Sequence, residues 1–150
     1  MIIIAHILLG ALIGKALNNL FLAIVLAFIS HFILDALPHW DVGSFKRRNE
    51  FDKRDWLIVF ADLVIGAVLT IYFAIIFESW SIVAVAFFSI LPDLIDNGSW
   101  LFNIHKKPFF KQFNELHEAL SFEITEEMLW LGVLVELAVI AAVFAVIFFV

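Results

Sequence analysis

Residues 20–41 read LFLAIVLAFISHFILDALPHWD. Residues 20–29 are all apolar, and the twelve that follow carry His31, Asp35, His39 and Asp41. An apolar run of this kind asks for a helix in an apolar solvent. Pro38 sets its end near residue 37, because the residue before a proline avoids helical geometry. His31 and Asp35 stand four apart on that helix and so face the same way. Such a pair can grip one metal ion, or the carboxylate can orient the imidazole that does. Beyond Pro38 the register breaks, and His39 need not continue that face.

The rest of the chain has the same character. Its 150 residues are 64% hydrophobic and include 18 phenylalanines, with a mean hydropathy of +1.05. Soluble domains are about 45–50% apolar, and a globule this small has no interior for the excess. The bilayer is the expected solvent, and the length allows a single transmembrane helical domain over residues 1–150. There is no cysteine, which excludes disulfides and thiolate metal sites. A metal would have to be held by His, Asp, Glu or carbonyl oxygen. The net charge of -6 gives no sign of a nucleic-acid partner. The N-terminal MIIIAHILLGALIGKALNN has neither a basic n-region nor a small-residue cleavage site, so it reads as a retained span.

An all-α, polytopic membrane protein is the expected fold, with about five spans of mostly apolar residues. They fall near 2–17, 20–37, 56–77, 81–95 and 128–150. Residues 109–120, FFKQFNELHEAL, place Phe109, Phe113, Leu116 and Leu120 at helical spacing and suit an amphipathic helix lying in the membrane interface. Of the nine basic residues, Lys46, Arg47, Arg48, Lys53 and Arg54 fall between spans two and three, and Lys106, Lys107 and Lys111 between four and five. The positive-inside rule puts those loops and the N-terminus in the cytoplasm and the C-terminus outside. The expected location is the cell inner membrane.

This topology stacks the polar residues at one depth. His6 lies near the start of span one, His31 and Asp35 at the end of span two, and Asp62 in the near half of span three. Asp93 and Asp96 end span four, and Glu136 lies in the first third of span five. An unpaired ionisable side chain in a bilayer costs at least about 2.5–3.5 kcal/mol, so several at one level make sense around a shared cation. The expected ligands are His6, His31, Asp35, Asp62, Asp93 and Asp96. Zinc is the expected ion, with manganese or magnesium as alternatives. His39, His117 and Glu136 are candidates for general acid or base, and Arg47, Arg48 and Arg54 for holding an anionic headgroup. His105, beside Lys106 and Lys107, is read as a loop residue. A weak echo relates AHILLGALIG (5–14) to ADLVIGAVLT (61–70), pairing His6 with Asp62 and Gly10 with Gly66.

His6, the Ser30-His31-x-x-x-Asp35 segment and Pro92 with Asp93 and Asp96 resemble motifs of the membrane-bound metal-dependent hydrolases of the LexA-regulated type, a family distantly similar to zinc-dependent phospholipase C. The motif order is permuted here, and the family's His-Arg-x-x-Thr-His-Ser segment has no counterpart. The resemblance implies a hydrolase. Together with the depth of the cluster, it leads to the expectation of a membrane-embedded metal-dependent hydrolase acting on a lipid phosphate or phosphodiester at the cytoplasmic headgroup level. The competing readings are a divalent metal-ion transporter and a metal-binding or purely structural membrane protein. Membrane lipids are the expected partners, and the Phe-rich surfaces leave a homo-oligomer open.

Overall fold

The structure, a computed structural model, describes residues 1–42, 45, 50–122 and 124–150. Among these there is no strand, and the helices are α1 (Ile3–Ala16), α2 (Leu20–Asp35), α3 (Lys53–Ile76), α4 (Ser81–Ser89), α5 (Leu91–Leu101), α6 (Pro108–Leu120) and α7 (Leu129–Ile147). A 3-10 turn, Glu126–Met128, leads into α7. The helix starts have local causes. The Asn19 side chain accepts from the Leu22 amide at 3.1 Å and begins α2. Asp52 and Asp55 form a reciprocal capping box, which sets the start of α3 at Lys53, earlier than hydropathy alone suggests.

Helix α1 is the centre of the bundle, with α2, α3, α4 and α7 all packed on it. Ile3, Ile7, Leu8 and Ala11 of α1 join Phe73, Ile82, Ala86, Val143 and Ile147 in the main core. Close approach to α4 depends on small residues. A Cβ on Gly10 would stand 2.8 Å from the Ala86 Cα, and one on Gly14 would stand 3.0 Å from the Ile82 Cα. This is the small-residue packing expected where backbones meet in a membrane bundle.

Two helical stretches, Lys53–Ile76 and Glu126–Ile147, are long and apolar enough to cross a membrane, and the bent pair Ser81–Ser89 with Leu91–Leu101 makes a third if it counts as one span. This corrects the expectation of five. Helices α1 and α2 have 14 and 16 residues, about 21 and 24 Å at 1.5 Å per residue, against about 30 Å of hydrocarbon. The expected fourth span is broken by a 55° bend between α4 and α5. Pro92 lies in the first turn of α5, where its missing N–H costs nothing and its fixed φ favours a new start.

The outer surface agrees with a membrane setting. Only 22% of the spanning window of α3, and 22% of that of α7, is buried by protein. Phe21 and Ile33 on α2, Leu57 and Phe60 on α3, and Trp130 and Leu137 on α7 all face outward. Apolar surface this extensive needs lipid or another subunit to cover it. Helix α6 leaves Phe109, Leu116 and Leu120 exposed and buries His117 on its other side.

Candidate metal centre

The beginning of α1, the end of α2 and the beginning of α5 meet at one end of the bundle, and α6 closes over them. Asp35, the last residue of α2, is at the middle of this junction and is almost wholly buried. Its Oδ2 lies 3.0 Å from His31 Nε2 and 3.0 Å from His117 Nε2. Those two nitrogens are 2.9 Å apart. Asp93 Oδ1 lies 3.8 Å from His31 Nε2 and 3.9 Å from His117 Nε2. One ligand atom from each of His31, Asp35, Asp93 and His117 thus falls within 4.8 Å of all the others. Ligands at about 2.0–2.1 Å around a tetrahedral zinc would stand roughly 3.3 Å apart, so such a shell needs Asp93 to move in and the His31, Asp35 and His117 atoms to spread slightly. Two imidazoles and two carboxylates are borderline ligands suited to zinc, manganese or iron.

The ring of His31 is set for ligation. Its Nδ1–H donates to the Ser89 carbonyl at 2.9 Å. A carbonyl can only accept, so Nδ1 carries a proton, and Nε2 is the atom that faces Asp35. An outer hydrogen bond of this type fixes the tautomer of metal-binding histidines. Ser89 also ties α4 to α1, its Oγ donating to the His6 carbonyl at 2.8 Å.

His117 is held near three carboxylates. Burial on its own disfavours the charged ring. The hydrogen bond to Asp35 and the charges of Asp93, Asp35 and Asp96 outweigh it, and the pKa is raised above the ordinary 6.5. Three buried polar atoms of this region make no hydrogen bond: His6 Nδ1, His6 Nε2 and Asp93 Oδ2. A buried polar group left unsatisfied costs about 1–3 kcal/mol, and a cation would engage such atoms directly.

The other candidates fall into place around this quartet. His6 stacks on His31 with ring centroids 4.1 Å apart, and its Nε2 is 3.2 Å from Asp35 Oδ1. His39 is buried with its Nε2 4.0 Å from the same oxygen. Asp96 lies behind His117, Oδ2 to Nδ1 3.9 Å. Asp62 and Glu136 have different work. Asp62 accepts from the amides of Ile3 at 2.5 Å and Ile4 at 3.3 Å, and Glu136 from the amide of Ile2 at 3.1 Å. Both serve the unpaired donors at the start of α1, and neither joins the quartet. Arg54 is exposed on the first turn of α3. Arg47 and Arg48 lie outside the described residues. His105 stacks on Trp100 at 3.8 Å, away from the centre.

Two participants were not anticipated from the sequence. One is the carbonyl of Ser89. The other is the Met1 ammonium, 2.9 Å from Asp35 Oδ1. A small cleft of about 50 Å³ borders the centre, with Asp93, Asp62, Asp41 and Asn97 among its walls. It has room for a few water molecules. No family model matches this chain, and neither does any curated protein or solved structure.

Proposed function

We propose that this protein is a membrane-embedded, metal-dependent hydrolase that acts on a phosphate ester of a lipid at the headgroup level of the cytoplasmic leaflet of the inner membrane. The observation that carries this reading is the convergence of His31, Asp35, Asp93 and His117 from three separate helices. The zinc-centred family resemblance agrees with it, but the reading stands on the site. A divalent ion bound there would acidify a water and polarise a phosphoryl oxygen.

The chain's own groups fit the remaining needs. The cleft beside Asp93 has room for water next to a ligand. His117 comes from α6, whose exposed Phe109, Leu116 and Leu120 suit the membrane interface. On this reading the centre lies beside headgroups, away from the midplane where carrier sites usually lie. Lys53 and Arg54, exposed at the start of α3, are placed to attract an anionic headgroup. In the hydrolysis, a water oxygen bonds to phosphorus, the phosphorus–oxygen bond to the lipid alcohol breaks, and the water's proton ends on that alcohol. His39 stands at the same carboxylate, its Nε2 4.0 Å from Oδ1.

The test is turnover. Purified protein in mixed micelles is offered phospholipids and isoprenoid phosphates, with zinc or manganese and with chelator. Metal-dependent release of a phosphate or phosphorylated headgroup, lost in His31→Ala, is expected. Stoichiometric metal without turnover of any phosphate ester would overturn the hydrolase reading.

A further inference from the structure

The two oxygens of Asp35 face different sets of imidazoles. Oδ2 looks toward His31 and His117 at 3.0 Å each. Oδ1 looks toward His6 at 3.2 Å and His39 at 4.0 Å. The quartet uses Oδ2 alone, and Oδ1, paired with the Met1 ammonium at 2.9 Å, heads a second half of the junction.

That second half has the marks of a ligand set. His6 is 1% exposed, and neither of its ring nitrogens makes a hydrogen bond. Such an imidazole is costly to bury, and the polar neighbour that faces it is Asp35 Oδ1, 3.2 Å from Nε2. His39 is oriented as His31 is: its Nδ1–H donates to the Leu37 carbonyl at 2.8 Å, which leaves Nε2 as the atom on the side of Oδ1. Asp41 Oδ2 lies 3.8 Å from that Nε2. The Met1 ammonium, 2.9 Å from Oδ1, marks this corner as a cation position, and a metal bound there would displace it. Packing holds the arrangement from outside. A Cβ on Gly132 of α7 would stand 3.0 Å from the His39 carbonyl carbon and 3.0 Å from the Trp40 nitrogen, so α7 lies directly against the segment that presents His39.

We propose that Asp35 bridges two divalent cations: Oδ2 completes a site with His31, His117 and Asp93, and Oδ1 a second with His6, His39 and, at the rim, Asp41. This extends the metal-centre reading above and rests on it. Two cations on one carboxylate stand about 3.5–4 Å apart, the spacing at which paired ions hold both the attacking and the leaving oxygen of a phosphate ester.

The experiment is metal counting on detergent-purified full-length protein, stripped with chelator and reloaded with zinc or manganese. Wild type should hold two equivalents. His6→Ala and His39→Gln should each hold one, a twofold drop, with helix content and elution volume unchanged. Manganese-loaded wild type should also give the electron paramagnetic resonance of an exchange-coupled pair. That measurement needs no variant and stands even if His6→Ala fails to fold. One equivalent in wild type and still one in both variants would overturn the second site and leave the first intact. Two equivalents retained in both variants, or the spectrum of isolated manganese in a fully loaded wild type, would also overturn it. No metal in wild type would sink the metal centre itself.

Discussion

The Nε2 atoms of His31 and His117 meet at 2.9 Å across 86 positions of sequence. Two unprotonated imidazole nitrogens repel at that distance unless a proton or a cation lies between them. One carboxylate oxygen, Asp35 Oδ2, stands 3.0 Å from both. Removing either ring, or neutralising the carboxylate in Asp35→Asn, should therefore abolish tight binding. Elemental analysis after gel filtration should find less than a tenth of the wild-type metal in His31→Ala and His117→Ala. Changing only a group behind a ligand typically costs about 10–100-fold, and loss of a ligand should exceed that.

Protons and metal compete for His117. Its pKa is raised above 6.5, so in metal-free protein the charged ring contributes stability that is fully present below 6.5. That contribution is lost as the pH rises through the raised folded value. Metal needs the neutral ring, so affinity should fall as the pH drops through the same window, by about tenfold per unit for each proton displaced. Thermal melts with and without chelator should diverge as the medium becomes alkaline and converge in acid. Melts that stay parallel from pH 6 to 9 would remove His117 from the ligand set.

Gly10 and Gly98 form a matched pair. A Cβ at Gly10 would stand 2.5 Å from Ser89 Oγ and 2.8 Å from the Ala86 backbone, whereas one at Gly98 would meet nothing within 4 Å. Gly10→Ala must push α4 from α1, at a cost of about 1–3 kcal/mol. It should also weaken metal binding, because Ser89 links His6 to His31. Gly98→Ala, inside α5, should be neutral or stabilising by up to about 1 kcal/mol. Denaturation of the two variants in the same detergent checks both.

Asp62 separates stability from ligation. It accepts the Ile3 and Ile4 amides, so Asp62→Ala should cost about 0.5–2 kcal/mol, the range for losing a helix N-terminal acceptor. Bound metal should be unchanged. Loss of metal in a folded Asp62→Ala protein would return this carboxylate to the coordination shell.

The helices were largely legible because unbroken apolar runs and their polar interruptions report helix extent. Asn18-Asn19 and Pro38 marked where the second run begins and ends. The break before α5 is not legible in hydropathy: LPDLIDN reads as the close of a span near residue 95, yet a proline followed by an aspartate is also how a helix begins. The ligands on α2 could be read from local spacing, since His31 and Asp35 share one face whatever surrounds them. His117 stands out as the histidine bordering the apolar side of α6, and the structure brings its Nε2 to 3.0 Å from Asp35. Asp62 and Glu136 could not be read. Their partners are amides of residues 2 to 4, more than fifty positions away, and only the packing of α3 and α7 against α1 brings them there.

The shortness of α2 has a consequence for the lipid around it. Phe21 and Ile33 expose apolar surface near its two ends, yet its 16 residues extend about 24 Å, roughly 6 Å less than the hydrocarbon thickness. A bilayer meeting a helix of deficient length thins locally, or the protein oligomerises to hide the mismatch. Thinning would pull the phosphate layer down toward Asp35 at the helix's end, and reconstitution into lipids of increasing chain length should then progressively starve the site of its neighbours.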